Sequence, residues 1–106
     1  MGFCIQEYVD QMGRNPFRTW LESLDISVRA RIQARILRFE LGNLGDCKPV
    51  GGGVLEARLT FGPGYRVYFG LKGGAVVILQ AGGDKKTQAR DIQRAKRYWA
   101  DYLEVL

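Results

Sequence analysis

The sequence of 106 residues contains no histidine and only two cysteines, Cys4 and Cys47. Because histidine and cysteine are the usual ligands of zinc and iron, a transition-metal site is not expected. The two cysteines lie far apart in the sequence, and we interpret them as reduced thiols, one in a strand and one in a loop. The composition therefore favours a protein without a resident metal or other cofactor.

Long apolar runs are also missing. No stretch of the chain approaches the roughly 18 consecutive apolar residues of a membrane-spanning helix. The opening MGFCIQEYVDQMG has no basic segment followed by an apolar one, so no secretory signal is predicted. We therefore expect a cytoplasmic protein without a membrane partner.

Acidic residues are the scarcer charged class, with 11 Asp and Glu against 16 Lys and Arg and a formal net charge of +5. A positive field of this kind attracts polyanions such as nucleic acids. A basic surface that is simply solvated is the alternative. The placement of the cations along the chain has to distinguish the two.

The spacing of apolar residues, together with the positions of Gly, Pro and Asn, predicts one α+β domain over residues 1–106 in the order βααβββα. Residues 42–53 hold five glycines and a proline and are predicted to be a loop. Gly82-Gly83 is predicted to end the sheet. The predicted elements are a strand at 3–9, a helix capped by Asn15 and opened by Pro16, a helix at 26–41 that stops at Gly42, strands at 54–61, 65–71 and 75–81, and a helix that Asp84 caps and that runs to about 104.

The segment EARLTFGPGYRVYF, residues 56–69, places two arginines in neighbouring strands on either side of a Gly-Pro-Gly turn. With Gly62-Pro63-Gly64 as a three-residue loop, Thr60 faces Arg66 and Arg58 faces Tyr68. Arg58 and Arg66 are then diagonal neighbours on one polar face, beside Glu56 and Tyr68. Such a face is either open and solvated or binds an anion between the two guanidinium groups, whose planar forks suit phosphate.

Three further groups of cations admit the same two interpretations. Lys85 and Lys86 open the last helix directly after the central strand, where free backbone N–H groups also favour anions. Arg90 extends this basic surface along the helix. Arg31, Arg35 and Arg38 recur on one face of the second helix. A solvated face explains each group, and a surface for nucleic acid or an acidic partner is the alternative.

Several blocks in the right order resemble the RelE/ParE superfamily of bacterial toxins, and most closely its HigB-like branch of addiction-module killer proteins. The blocks are NPFRTWLESLD, the glycine loop ending in KPVGGGV, VLEARLTFGPGYRVYF and AVVILQAGGDKKTQARDIQRA. The resemblance implies a curved, mainly antiparallel sheet flanked by an N-terminal helical hairpin and a C-terminal helix.

The resemblance also implies a function. Many members are metal-independent endoribonucleases that cut mRNA, often on the ribosome, and a helix-turn-helix antitoxin neutralises them and carries the complex to operator DNA. The ParE branch instead inhibits DNA gyrase. A toxin homologue without activity, serving as antitoxin partner and co-repressor, is a third expectation.

By motif, Arg66 corresponds to the residue that contacts the scissile phosphate, Arg58 to the basic residue of the preceding strand, and Lys85 to the basic residue after the sheet, with Lys86 beside it. Lys48 in the glycine loop is a weaker candidate for RNA contact. Some ribosome-dependent members carry a tyrosine near the attacking 2′-hydroxyl, but the corresponding place here falls near Asp91, and no histidine replaces it.

Proton transfer has three candidates. Guanidinium groups do not deprotonate in proteins, so Arg58 and Arg66 are expected to stabilise charge and not to act as bases. Proton transfer would fall to Lys85, Tyr68 or Glu56. The sequence leaves this choice open.

Overall fold

A computed structural model describes residues 2–105, and the predicted α+β class is confirmed. Met1 and Leu106 lie outside the described residues. The elements are β1 (Cys4–Glu7), α1 (Pro16–Glu22), α2 (Ile26–Glu40), β2 (Cys47–Gly51), β3 (Val54–Arg58), β4 (Arg66–Lys72), β5 (Val76–Gly83), a 3-10 turn (Lys85–Thr87) and α3 (Gln88–Glu104). In this part of the chain, no helix is both long and apolar enough to cross a membrane.

The helix boundaries follow the predicted capping residues. The Asn15 side chain accepts a hydrogen bond from the Arg18 N–H (2.9 Å), and Pro16 occupies the first helical position of α1. Gly42 follows the end of α2 with a positive φ of 92°, which a glycine adopts without strain. Asp84 accepts hydrogen bonds from the N–H groups of Lys86 and Thr87 and so caps the 3-10 turn before α3.

The five strands form one sheet in the order β1-β5-β4-β3-β2. β1 runs parallel to β5, and the other neighbours are antiparallel. One face of the sheet packs against α1 and α2 through buried side chains that include Phe17, Leu21, Ile32 and Phe39. The opposite face packs against α3 through a second cluster that includes Tyr68, Ala95 and Trp99. The sheet is therefore covered on both faces.

The segment predicted to be a loop at 42–53 contains the edge strand β2, so the order has one strand more than predicted. Cys47 pairs with Ala57 and Lys48 pairs with Glu56, which places Cys47 in a strand and not in a loop. Pro49 is compatible with a strand here because β2 lies at the sheet edge, where a missing N–H costs no ladder bond. Gly51, Gly52 and Gly53 all have positive φ; Gly51 is the last residue of β2, and only Gly52 and Gly53 form the turn into β3.

The prediction that Gly82 and Gly83 lie beyond the last strand is wrong. They are the last two residues of β5 and pair with Val67 and Arg66. Their lack of a side chain serves close packing on the two faces. A Cβ at Gly82 would lie 2.0 Å from Trp20 Cε3, and a Cβ at Gly83 would lie 1.9 Å from Asp91 Oδ2. Both glycines therefore let a helix side chain rest directly on the strand.

Candidate nucleic-acid interface

The end of β3, the start of β4 and the end of β5 lie side by side, where these three neighbouring strands stop. The five residues predicted to be catalytic lie at or near this border of the sheet. Arg58 ends β3 and stands directly opposite Arg66, the first residue of β4. In antiparallel strands such residues have Cα atoms roughly 4.5–5.5 Å apart. β5 ends at Gly83, and Lys85 follows in the 3-10 turn. We call Arg58, Arg66 and Lys85 the cationic edge.

The predicted register of β3 and β4 is wrong by two residues. Arg58 faces Arg66, and Glu56 faces Tyr68, whereas the sequence predicted Arg58 opposite Tyr68. The loop is longer than Gly-Pro-Gly because the strands already separate after Leu59, whose N–H donates to the Tyr65 carbonyl (2.9 Å). An even shift leaves every side chain on its predicted face, so the two arginines still share one side of the sheet.

Arg66 is held from two directions. Its side chain is only 11% exposed, and its Nε lies 3.8 Å from Oε1 of Glu56. Its Nη1 donates to the Gly64 carbonyl at 3.1 Å. Within the described residues, neither Arg66 Nε nor Glu56 Oε1 has a hydrogen-bond partner. The guanidinium is thus oriented by charge while part of its donor fork is unused.

Glu56 and Tyr68 are buried beneath α3, so the interpretation of this face as open and solvated does not hold at these two residues. Glu56 Oε2 accepts hydrogen bonds from the Tyr68 hydroxyl (3.0 Å) and from Nε2 of Gln88 (2.8 Å). Burial, and next the negative charge of Glu56, raise the pKa of Tyr68 well above its ordinary value. Tyr68 therefore stays protonated, and its hydroxyl donates a hydrogen bond to Glu56. Neither group faces solvent.

The exposed part of the edge is formed by Arg58 and Lys85. The Arg58 side chain is 41% exposed, and its Nη2 donates to Oδ1 of Asp46 (3.1 Å), a carboxylate that is itself half exposed. An exposed pair of this kind contributes only about 0–1 kcal/mol, so a phosphate can replace the carboxylate at small cost. Lys85 lies beside Arg66, because Lys85 Cβ and Arg66 Nη1 both lie 3.4 Å from the position of a Cβ on Gly64.

The cations predicted to bind RNA have different surroundings. Lys48, Lys86 and Arg90 are exposed, and Arg90 Nε lies 3.7 Å from the buried Asp91. Arg31 is exposed, and its guanidinium carbon lies 3.7 Å from the centre of the Phe61 ring.

Arg35 does not fit its predicted role, because it is buried with 6% of its surface exposed. Its guanidinium donates to the backbone carbonyls of Leu44, Asp46 and Arg58, at 3.1, 2.9 and 2.6 Å. A guanidinium engaged in this way ties α2 to the ends of two strands and leaves little of its fork for a ligand.

Three polar residues of this region were not predicted as site residues. Asp46 pairs with Arg58, Gln88 donates to Glu56, and Asp91 is buried with Arg94 Nη1 3.3 Å from its carboxylate. Gln88 and Asp91 lie one turn apart on the side of α3 that carries Ala95 and Trp99. Polar residues inside that apolar spacing are the signal that could have identified them.

Residues 19–100 match the model of a protein family described as phage-derived protein Gp49-like (DUF891). A stretch of 81 residues is 48% identical to a Haemophilus influenzae protein described as uncharacterized. The aligned stretch covers 76% of this chain and 82% of that relative. No solved structure matches the chain. The family match begins within α1, ends within α3 and includes every residue of the cationic edge. The chain therefore belongs to the phage-derived Gp49-like family.

Proposed function

We propose that the protein is the toxin of a type II toxin–antitoxin pair and acts as a metal-independent endoribonuclease on mRNA. The Gp49-like family, a type II toxin family, supports the first part of this proposal. The nuclease activity rests on one observation, the convergence of Arg58, Arg66 and Lys85 at a single edge with a buried carboxylate beneath Arg66.

Preorganisation is what makes this edge suitable for phosphoryl chemistry. An arginine that is already oriented when the substrate arrives loses little side-chain entropy, and it stabilises developing negative charge most effectively. Glu56 lies on the same face of the sheet, buried under α3, and supplies that orientation for Arg66. We assign Glu56 this holding role and not proton transfer, since it is fully buried and already accepts two hydrogen bonds.

RNA carries its own nucleophile, the 2′-hydroxyl, so cleavage needs no metal and no covalent intermediate with the protein. The hydroxyl oxygen attacks the phosphorus in line, and the bond from phosphorus to the 5′ oxygen breaks. Arg66 and Arg58 would contact the non-bridging phosphate oxygens. Lys85, which is exposed, would donate a proton to the departing 5′ oxygen, and the half-exposed Asp46 would accept the proton of the 2′-hydroxyl.

The partners follow from the same proposal. The substrate is mRNA, with the ribosome as the place of cleavage, and the site of action is the cytoplasm. A helix-turn-helix antitoxin would bind the toxin, suppress its activity and bring it to operator DNA.

Expression of the protein in bacteria with pulse labelling tests the proposal. Protein synthesis should stop before DNA synthesis, and cleaved mRNA ends should appear at the same time, because loss of message blocks translation first. Co-expression of the proposed helix-turn-helix antitoxin should restore protein synthesis and suppress the cleaved ends. If DNA synthesis stops first, the protein acts as a gyrase inhibitor, and if neither stops, it lacks toxin activity.

A further inference from the structure

A groove of about 610 Å³ lies between α2 and the chain that leaves β3. Arg31, Arg35 and Arg38 line its helical wall, and Thr60 and Phe61 line the opposite wall. The acidic residue that lines it is Asp46, whose carboxylate already pairs with Arg58. The groove is therefore strongly positive.

The two outer arginines of the groove are available to a ligand. Of the residues described, Arg31 and Arg38 are both exposed, and neither forms an ion pair with a carboxylate. They lie seven positions apart, which corresponds to about 10 Å along the helix axis. Two cations at this separation can contact different phosphates of one extended strand.

Arg35 forms the base of the groove and fixes its shape. Burial, and next the nearby charge of Arg38, lower the pKa of Arg35, while its hydrogen bonds go to neutral carbonyl groups. Its positive charge is thus not cancelled by a carboxylate in contact with it. The charge adds to the field of the groove although the side chain itself is not free.

The Phe61 side of the groove indicates which polyanion fits. The Arg31 guanidinium lies over the Phe61 ring at 3.7 Å, and Phe61 is only partly buried. Aromatic rings and arginine planes are the surfaces on which unpaired bases stack, whereas the carboxylates of an acidic protein segment pair with guanidinium groups but gain nothing from an aromatic ring. The groove also adjoins the cationic edge, because Arg58 lines it at the point where β3 ends.

We propose that this groove is a second binding site for single-stranded RNA and holds nucleotides that flank the cleaved bond. The inference deepens the proposed function and rests on it. RNA leaving the cationic edge crosses the loop at 60–64 and enters the groove, where Arg31 and Arg38 contact phosphates and a base stacks on the plane of the Arg31 guanidinium, which Phe61 supports.

The test measures binding of a single-stranded RNA whose 2′-hydroxyls carry O-methyl groups, so that it is not cleaved. The double variant Arg31→Ala/Arg38→Ala is compared with Lys72→Ala/Arg97→Ala, which removes the same charge at exposed positions away from the groove. Each phosphate contact contributes about 0.7 to the slope of log affinity against log salt for single strands. The groove variant should lower the slope by about 1.4, so that its affinity deficit grows roughly 25-fold between 1 M and 0.1 M salt. The control should keep the wild-type slope.

Three results would overturn the inference. Equal slopes in the two double variants, with RNA still bound, would reject the groove and leave the proposed function intact. Failure of the wild type to bind or cleave any RNA would reject both. A third result would assign the groove to a protein partner. In that case an acidic polypeptide displaces RNA more strongly from the wild type than from the groove variant, while the two proteins show the same slope of log affinity against log salt.

Discussion

Substitution of Arg66 by lysine is expected to lower the rate of RNA cleavage about 100- to 1,000-fold while the protein stays folded. The variant keeps a positive charge next to the buried Glu56, so the ion pair at 3.8 Å is replaced and not broken. It loses the planar fork that contacts two phosphate oxygens at once. Removal of one preorganised donor to developing charge typically has an effect of this size. Single-turnover cleavage and thermal unfolding measure the two properties separately.

The controls for this experiment follow from the burial of Glu56. Arg66→Ala leaves a buried carboxylate without its cation and should destabilise the fold by about 3–5 kcal/mol, so its inactivity alone proves little. Arg66→Ala combined with Glu56→Gln removes both charges and should recover most of that stability without recovering cleavage. Arg97→Lys, at an exposed position of α3, should cleave RNA at the wild-type rate. A folded Arg66→Lys protein with full activity would exclude Arg66 from the reaction.

Substitution of Arg35 by methionine is expected to destabilise the protein by about 2–4 kcal/mol. The change removes charged hydrogen bonds to three carbonyl groups, which belong to Leu44, Asp46 and Arg58. A hydrogen bond from a charged donor contributes about 1.5–3 kcal/mol, and part of the loss is recovered by water, by relaxation and, at Asp46, by the Arg58 N–H that still donates to its carbonyl at 2.9 Å. Urea unfolding at neutral pH measures the change in the free energy of unfolding.

Arg38→Ala is the matched control for that substitution, since Arg38 lies on the same helix, is exposed and pairs with no carboxylate among residues 2–105. Its effect on the free energy of unfolding should stay within about 0.5 kcal/mol. Equal stability losses for the two variants would show that Arg35 is not the tie between α2 and the sheet.

Local patterns predicted the helices and the faces of the strands correctly. Asn15, Pro16 and Gly42 begin or end helices where expected, because capping depends on a few adjacent residues, whereas Asp84 caps a 3-10 turn and α3 itself begins only at Gln88. The alternation of β3 and β4 placed Arg58 and Arg66 on one side of the sheet. The exact pairing was wrong because a strand pattern constrains only which residues share a face, and every even shift preserves it.

Tertiary contacts account for what could not be predicted. Lys48 and Pro49 belong to a strand because β3 offers a partner, which the glycine-rich composition of the segment does not reveal. Arg31 and Arg35 have the same spacing pattern on α2, yet only Arg35 reaches the carbonyl groups at the strand ends. Glu56 is polar in the sequence and fully buried in the fold because α3 crosses above it.

Nuclear magnetic resonance of the arginine Nε–H groups tests the central claim, that Arg66 and Arg58 bind the RNA backbone. Both Nε atoms are buried and have no hydrogen-bond partner among the described residues, so a phosphate arriving at the neighbouring donors should shift their signals. Titration with the same uncleavable RNA is expected to move the signals of Arg66 and Arg58 saturably and to leave Arg97 in place. Saturable binding that leaves Arg66 and Arg58 unchanged would contradict the account.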